Sequence, residues 1–422
     1  MRHNNNNEHK KVISLFSGCG GMDLGFHLAG FKSLVAVEEN KTASTTFKKN
    51  IDGVEVLNGD ITNIKTKEIL DAANLSAGDV DVVIGGPPCQ TFSVAGNRMG
   101  TDEPKGKLVW EYFRVVREAL PKFFVMENVV GMVSWMNGKV IGEIKDHIEK
   151  PILLNGKEYK YKIDFKVLNA ANFGVPQNRY RVFIIGNRMD MENPFPKPTH
   201  SNATPLFFDE LSPYISVKDS IEHLSDVRTR DNPFELNGST IYNHVANTNV
   251  ANKFWHRKHK VPQATICEYL KEWKKRSTWT TKKIDQHFGY NHTAGHWFRD
   301  DNKSGSIPKP KDWWILKDIL GFDDLYDQKV TELELREITF DQSLRISNWD
   351  TPSDTITASI SEIHPNKKRR LSVRECAIIQ TFPNDFIFSG SISDMHRQIG
   401  NAVPIKLSFK IAETIARKLN DD

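Results

Sequence analysis

Short apolar runs alternate with longer amphipathic segments between residues 11 and 190. Such runs are typical of buried parallel strands, and the segments between them have the periodicity of helices. The pattern predicts strands at 11–16, 33–37, 80–84, 123–126 and 182–185, with helices between them, for example at 41–50 and 108–120. Strands separated by helices predict an α/β fold, Rossmann-like and doubly wound, with a mostly parallel sheet.

The pattern changes at the proline-rich sequence 193–199, which marks a boundary. From about 200 to 360 the chain is irregular and basic, and helical periodicity returns at 371–380 and 406–419. The α/β domain is therefore predicted to be discontinuous. It comprises residues 11–195 and 361–422, on either side of a second, smaller domain at 196–360, and residues 1–10 form a polar, flexible N-terminus.

Composition indicates an ordinary globular protein, because 39% of the 422 residues are hydrophobic and 26% are charged. No apolar run approaches the ~20 residues that cross a bilayer, and the N-terminus lacks the apolar core of a signal peptide. The cysteines at 19, 89, 267 and 376 are too scattered for a disulfide framework. We therefore expect a cytoplasmic protein without a membrane partner.

A basic and aromatic patch lies inside the predicted insertion, between residues 253 and 283. It holds ten Lys and Arg against two Glu, interleaved with Phe254, Trp255, Trp273 and Trp279. Such a patch suits a nucleic-acid backbone, although a solvated surface without a ligand would have the same composition. Histidines 256, 259, 287, 292 and 296 are close in sequence, but no paired-ligand spacing is present and no metal site is predicted.

A glycine-rich loop, residues 16–21, follows the first predicted strand and opens a helix. Its glycines let the backbone approach a ligand at a helix N-terminus, but the spacing is not the G-x-G-x-x-G of dinucleotide enzymes. Glu38 ends the next strand twenty residues after Gly18, where an acidic side chain accepts hydrogen bonds from ribose. Asp60, in Asn58-Gly59-Asp60-Ile61, ends a further predicted strand between those at 33–37 and 80–84 and could accept from an adenine amino group. The series predicts an adenosine site.

The sequence Pro87-Pro88-Cys89-Gln90 follows the strand predicted at 80–84. Open α/β sheets carry their chemistry beyond the carboxyl ends of strands, and two prolines would hold a thiol there in place. A small buried cysteine in a tight turn would have the same local sequence, so both interpretations stay open at this point. Cys19 is predicted to be a tolerated small residue of the glycine-rich loop.

Five further motifs lie along the chain, at Glu127-Asn128-Val129, 177–181 (Gln-Asn-Arg-Tyr-Arg), Arg374-Glu375, 380–383 (Gln-Thr-Phe-Pro) and 398–404 (Gln-Ile-Gly-Asn-Ala-Val-Pro). Together with 16–21 and 87–90, these motifs resemble those of the DNA (cytosine-5) methyltransferases over nearly the whole chain outside the insertion. They occur in the family's usual order, with a variable region between the Gln-Asn-Arg and Arg-Glu motifs.

The resemblance implies that Cys89 is the nucleophile. C5 of cytosine is unreactive, so a thiolate first adds to C6 and converts the ring to an enamine. Glu127 would hold a proton at N3 while negative charge enters the ring. Arg179 and Arg181 alternate along the start of a strand and would point to one side, towards the cytosine O2 and a nearby phosphate.

The resemblance also implies that S-adenosylmethionine is the methyl donor. Phe16 would pack against the adenine, Gly18 and Gly20 would line the methionine side, and Glu38 would bind the ribose. Asp60 and Ile61 would contact the adenine, and Asn401 and Val403 would close the site from the far end of the chain.

Double-stranded DNA is the expected partner, with the target cytosine rotated out of the duplex. Residues 94–107 match the family's mobile loop, and the insertion matches its target-recognition domain. Residues 280–300 have the pattern of a helix-turn-helix, with Asn291 and Thr293 as caps of a second helix, or of two ordinary helices packed on a turn. We expect a monomer, the modification enzyme of a restriction–modification system, with no stable complex with the cognate endonuclease.

Two other functions are compatible with the motifs. One is a transfer-RNA cytosine-C5 methyltransferase, because one relative in this family acts on RNA with the same Pro-Pro-Cys-Gln motif. The long basic insertion and the lack of the Cys-Phe-Thr signature expected of that relative favour DNA instead. The other is a catalytically silent DNA-binding protein, which the intact Cys89, Glu127, Arg179 and Arg181 make less plausible.

Overall fold

The computed structural model describes residues 9–88, 107–134, 139–202, 211–246, 263–289, 297, 310–334, 345–359, 362–366 and 369–421. By their mutual contacts the residues divide into two compact units, Met1–Asn249 with Ser343–Asp422, and Val250–Gln342.

The first unit contains all the strands described. They are β1 Lys10–Leu15, β2 Phe31–Glu38, β3 Glu55–Asn58, β4 Val82–Gly85, β5 Phe123–Val129, β6 Ile152–Leu154, β7 Lys157–Tyr159, β8 Lys162–Asn169, β9 Tyr180–Asn187, β10 His200–Ser201, β11 Ser212–Pro213, β12 Phe234–Leu236, β13 Ser239–Ile241, β14 Arg345–Ile346 and β15 Glu362–Ile363. Seven of them form one sheet in the order β3-β2-β1-β4-β5-β9-β8, and the others pair in two-stranded pieces.

Helices of the first unit cover the sheet and follow its strands. They are α1 Gly21–Leu28, α2 Lys41–Asn50, α3 Thr66–Ala72, α4 Lys107–Ala119, α5 Gly131–Ser134, α6 Lys139–Ile148 and α7 Val217–Ser225, followed near the C-terminus by Val373–Ile379, Ile392–Asn401 and Ile405–Asn420. The helix predicted at 41–50 is confirmed, and α2 begins there because the Asn40 side chain accepts hydrogen bonds from Thr42 N and Ala43 N.

The predicted α/β fold with a mostly parallel sheet is confirmed. β1, β2, β3, β4 and β5 pair in parallel, whereas β9 runs antiparallel to both β5 and β8. β8 was not predicted. It is an edge strand on which Phe165 and Val167 are exposed, so it lacks the continuous apolar run that marks the central strands.

Apolar side chains on the two faces of the sheet form two cores. Val83, Phe124 and α4 belong to one, and Phe123, Val125 and the C-terminal helix Ile405–Asn420 belong to the other. The C-terminal helix approaches α1 so closely that a Cβ on Gly25 would lie 2.5 Å from Ser408 Cβ. The end of the chain therefore packs directly behind the glycine-rich loop.

The ends of the predicted insertion pack within the first unit. Val373 N donates to Val245 O at 2.8 Å, and Asn178 N donates to Ser353 O at 2.8 Å. The contact boundaries at 249 and 343 therefore differ from the composition boundaries at 196 and 360. The division into a catalytic and a target-recognition domain stays a prediction.

The second unit contains four described helices, Gln263–Arg276, Thr281–Phe288, Trp313–Leu320 and Asp327–Glu334. Its core includes Trp297 and Trp313, whose ring centroids are 5.6 Å apart. The first helix of the predicted helix-turn-helix is present, capped by Thr280 and ended by Gly289 in the left-handed region. The second helix, with Asn291 and Thr293, lies outside the described residues.

Asp23 is a buried carboxyl that joins α1 to the first two strands. Ser14 Oγ donates to its Oδ2 at 2.9 Å, and Ser33 Oγ donates to its Oδ1 at 2.7 Å. Burial raises the pKa of Asp23 from 3.8 to about 6 despite both hydrogen bonds. At neutral pH the ionised Asp23 carboxylate therefore lowers the stability of the folded protein.

Replacing Asp23 with asparagine should change the pH dependence of stability. The folded protein binds the Asp23 proton more tightly than the unfolded chain, so the wild type loses stability as the pH rises through about 4 to 6. The variant lacks this loss. Between pH 4 and 7, the difference in free energy of unfolding between variant and wild type should therefore shift by about 3 kcal/mol in favour of the variant, from two pKa units at about 1.4 kcal/mol each. Urea unfolding at several pH values measures the gain, and parallel pH profiles would contradict it.

Candidate active site

A cavity of about 690 Å³ opens at the carboxyl ends of β1, β2, β4 and β5. This edge is where open α/β sheets bind their ligands. Because β9 is antiparallel to β5, its first residues lie at the same edge, with Arg181 opposite Val129. The topology thereby brings the sequence-predicted residues Phe16, Gly18, Glu38, Asp60, Ile61, Glu127, Arg179, Arg181, Asn401 and Val403 to one cavity.

Glu38 is held at the end of β2 by two backbone donors. Gly18 N donates to its Oε2 at 2.8 Å, and Asn40 N donates to its Oε1 at 2.7 Å. Burial raises the pKa of Glu38, although these hydrogen bonds oppose the shift. Each oxygen keeps a second lone pair for a ligand hydroxyl. The carboxylate therefore both shapes the glycine-rich loop and presents acceptors to the cavity.

The glycine-rich loop adopts unusual backbone angles next to the cavity. Phe16 has a φ of 53°, in the left-handed region that non-glycine residues rarely adopt. Such strain is common at ligand sites, where surrounding contacts impose it. Gly20, in contrast, is not among the described residues that line the cavity. Its φ of 90° already favours glycine, and a Cβ there would lie 2.5 Å from Ile51 Cδ1, just after α2.

Cys19 is buried in this loop, and its Sγ lies 3.8 Å from Gln398 O. Burial raises the pKa of the Cys19 thiol to about 12, so it is neutral at physiological pH. A neutral buried thiol is a poor nucleophile. These observations fit a packing role for Cys19.

The turn after β3 forms one wall of the cavity. Asp60 Oδ1 accepts from Thr62 N at 2.9 Å and so begins the short 3-10 helix Ile61–Asn63. The Ile61 side chain is buried against the core below. Across the cavity, Asn401 ends the helix Ile392–Asn401, and Val403 follows it.

Glu127 and the two arginines form a charged cluster at the other end of the cavity. Arg181 Nε lies 3.0 Å from Glu127 Oε1, close enough for an ion pair. The alignment is not that of a hydrogen bond, and Oε1 has no hydrogen-bond partner among the described residues. A buried acceptor without a donor is rare in folded proteins and is available to a ligand.

Arg179 is 1% exposed and also faces this cluster. One terminal nitrogen, Nη1, donates to Ile356 O at 3.1 Å, while its buried Nε has no partner in the described part of the chain. Burial, reinforced by the charge of Arg181, lowers the pKa of Arg179 to about 9. The guanidinium is therefore still charged at neutral pH, with an Nε–H that no described residue accepts.

Pro87 and Pro88, the residues that lead to Cys89, line the same cavity as Glu127. Asn128 Nδ2 donates to Pro87 O at 3.1 Å and fixes this loop to β5. A Cβ on Gly86 would lie 3.3 Å from Glu127 Oε2, so the loop passes close to the carboxylate. Cys89 itself and residues 94–106 of the predicted mobile loop lie outside the described residues, and residue 107 begins α4.

Several motif residues form hydrogen bonds inside the protein and do not line the cavity. The motifs alone do not distinguish these residues from those that do. The buried Gln177 donates from Nε2 to Gln380 Oε1 at 3.0 Å, and Gln380 Nε2 donates to Ile399 O at 2.7 Å. Arg374 donates to the backbone oxygens of Tyr242, Pro383 and Phe386. These amide and guanidinium contacts hold the C-terminal motifs against the sheet.

The profile of C-5 cytosine-specific DNA methylases matches residues 10–417. The chain belongs to this family. Methyltransferase M1.HphI of Haemophilus parahaemolyticus, a Type II enzyme, is 32% identical over 96% of this chain and 86% of its own length. Type II methyltransferase M.AquIA of a Picosynechococcus strain is 54% identical over 51% of this chain and 89% of its own length.

Structural comparison agrees with this family fold. The solved structure of the methyltransferase EhMeth of Entamoeba histolytica matches 98% of this chain and 99% of its own, with a TM-score of 0.53 and 15% identity. The enzyme class of the family, DNA cytosine-5 methyltransferase, is thus the class of this chain.

Within the described ranges, no helix is long and apolar enough to span a membrane. No group of three or more His, Cys, Asp or Glu side chains that could hold a metal ion occurs among the residues with described positions.

Proposed function

We propose that this enzyme is a sequence-specific DNA methyltransferase that moves a methyl group from S-adenosylmethionine to C5 of a flipped-out cytosine. We further propose a covalent bond between Cys89 and C6 during the reaction, and a biological role as the modification enzyme of a restriction–modification system. One observation supports the proposal most strongly: Glu127 Oε1 and Arg179 Nε, neither of which has a hydrogen-bond partner among the described residues, belong to side chains that line one cavity with the glycine-rich loop.

The described residues fit S-adenosylmethionine, which would supply an activated methyl group. A cavity of about 690 Å³ is within the range of cofactor sites. Glu38 offers acceptors for ribose hydroxyls, and Asp60 offers one for an amino group. Phe16, Ile61 and Val403 provide apolar surface around them. Gly18 lies beside open space, since a Cβ there would meet no described atom within 4 Å, and the methionine part of the cofactor would occupy this space. Glycine is favoured at this position by its φ of 57°.

The proposed chemistry begins with addition of the Cys89 thiolate to C6 of cytosine. Electron density moves through the ring, and Glu127 holds a proton at N3 that neutralises it. Arg179 donates to the cytosine O2, and Arg181 keeps the Glu127 carboxyl in position. C5 then takes the methyl group, and S-adenosylhomocysteine is the leaving group. Loss of the C5 proton to a base forms the C5–C6 double bond, Cys89 leaves C6 as a thiolate, and the ring regains aromaticity.

Double-stranded DNA is the proposed partner, bound by the monomeric enzyme in the cytoplasm. The insertion would read the sequence, and its basic residues would contact phosphates. Similarity to Type II methyltransferases over most of the chain supports DNA over RNA as the substrate. We propose no stable complex with the cognate endonuclease, because both proteins need only recognise the same DNA sequence.

Bisulfite sequencing tests the proposed function. The chain is expressed in a bacterial host without cytosine-5 methylation, and genomic DNA is compared with DNA from a vector control. We expect protected cytosines at one position of one short sequence across the genome. Full conversion of DNA alongside protected cytosines in transfer RNA would establish the RNA alternative instead. Full conversion of both in a host containing folded protein would favour the silent DNA-binding alternative.

A further inference from the structure

The guanidinium of Arg114 joins α4 to the turn that carries Asp60 and Ile61. Its Nη2 donates to Ile61 O at 3.1 Å and to Ile64 O at 3.0 Å. Its Nη1 donates to Thr66 Oγ1 at 2.9 Å, at the beginning of α3. Three acceptors from one short stretch of chain thus converge on a single side chain.

Two carboxylates fix the orientation of this guanidinium from its own helix. Glu111 Oε2 lies 2.6 Å from Arg114 Nε, and Glu118 Oε2 lies 3.5 Å from Nη1. The Arg114 side chain is 27% exposed, so solvent weakens these ion pairs and their main effect is geometric. The planar fork reaches the carbonyls of Ile61 and Ile64 while Glu111 holds its opposite side.

Both elements joined by Arg114 are walls of the cavity. Leu108, in the first turn of α4, is the one described residue of that helix that lines the cavity. Asp60 and Ile61 line it from the turn after β3. The hydrogen bonds to Ile61 O and Ile64 O therefore set the distance between two walls, although no atom of Arg114 lines the cavity itself.

We propose that Arg114 is a positioning residue that fixes the adenine end of the cofactor site. The inference rests on the proposed function, because Asp60 and Ile61 are the residues proposed to contact adenine. Loss of the guanidinium would free the Asp60 turn from α4 and weaken binding of the adenosine moiety. The methyl-transfer step, which takes place at the Glu127 end of the cavity, would proceed normally once the cofactor is bound.

Arg117 provides a matched control on the same helix. Its Nη1 donates to His147 O at 2.9 Å and Lys150 O at 3.0 Å, at the end of α6. None of these residues lines the cavity. Arg114→Gln and Arg117→Gln each remove guanidinium-to-carbonyl hydrogen bonds from α4, and only the first removes them from a cavity wall.

Calorimetric titration with S-adenosylhomocysteine tests the proposal in the intact chain of 422 residues. We expect Arg114→Gln to raise Kd about tenfold and Arg117→Gln to leave it within about twofold. Steady-state kinetics should show the same split, with a higher KM for S-adenosylmethionine and a kcat close to that of the wild type. Arg114→Lys keeps the charge but not the fork, so it should restore only part of the affinity. It also serves as the test variant if Arg114→Gln does not fold.

A second ligand separates a positioning effect from a general loss of stability. S-inosylhomocysteine carries an oxygen in place of the adenine amino group that Asp60 would accept from. The wild type should prefer S-adenosylhomocysteine, and Arg114→Gln should reduce that preference. Equal Kd values for Arg114→Gln and Arg117→Gln would overturn the role of Arg114 while leaving the proposed function intact. A wild type that binds neither ligand would contradict the proposed function and this inference together.

Discussion

Replacing Cys89 with serine should abolish methyl transfer and leave DNA binding nearly unchanged. A serine hydroxyl is a far weaker nucleophile than a thiolate, so C6 would not be attacked and C5 would stay unreactive. Loss of a nucleophile of this kind lowers kcat by about 10⁴-fold or more. Binding should persist because phosphate contacts, which supply most of the affinity for DNA, do not involve Cys89.

Transfer of tritiated methyl groups to DNA measures the activity of this variant, and a gel-shift titration measures binding. Cys376→Ala is the matched control, since Cys376 is fully buried away from the cavity and its thiol is held neutral by burial. The control should methylate DNA at close to the wild-type rate. Activity of Cys89→Ser within about tenfold of wild type would contradict nucleophilic catalysis by this residue.

Replacing Glu127 with glutamine should produce the second-largest effect. The amide keeps the size of the side chain but cannot hold an exchangeable acid proton at N3, and it breaks the ion pair with Arg181. General acid catalysis contributes about 10² to 10⁴ in rate, so kcat should fall by a factor in that range. The KM for S-adenosylmethionine should change little, because Glu127 lies at the opposite end of the cavity from Asp60 and Ile61.

Single-turnover methylation with saturating DNA isolates this step from product release. Glu143→Gln is a suitable control, because Glu143 is a surface residue of α6 that pairs only loosely with Lys139, at 3.7 Å. If Glu127→Gln retained a third or more of the wild-type rate, the proposed role at N3 would be incorrect.

The central strands could be predicted because burial on both faces leaves a strong apolar run in the sequence, as in β4 and β5. The edge strand β8 could not, because Phe165 and Val167 are exposed and the run is interrupted. The antiparallel direction of β9 was equally hidden. That direction depends on pairing with β5, which places Arg181 beside Val129 and so brings it to the cavity.

The residues of the candidate site were predicted from motifs. The motifs did not show which of their residues line the cavity and which form hydrogen bonds inside the protein. Gln177 and Gln380 stand 203 residues apart, and only their contact shows that they form a buried hydrogen bond rather than a ligand site. For Gly20 the sequence context predicts a ligand contact, and the structure adds a second reason for glycine, a left-handed φ beside Ile51. Arg114 belongs to none of the motifs, and its proposed positioning role follows from the carbonyl oxygens to which it donates.

The central claim is that Cys89 attacks C6 of a cytosine in DNA. Once bisulfite sequencing has identified the target, a duplex is made with 5-fluorocytosine at that position. It blocks the last step, because C5 then carries fluorine in place of the proton that a base would remove. Incubation with S-adenosylmethionine should then give a stable species with the combined mass of protein, DNA and one methyl group, absent with Cys89→Ser. Normal methylation of the unmodified duplex without any such adduct on the fluorinated one would contradict the covalent mechanism.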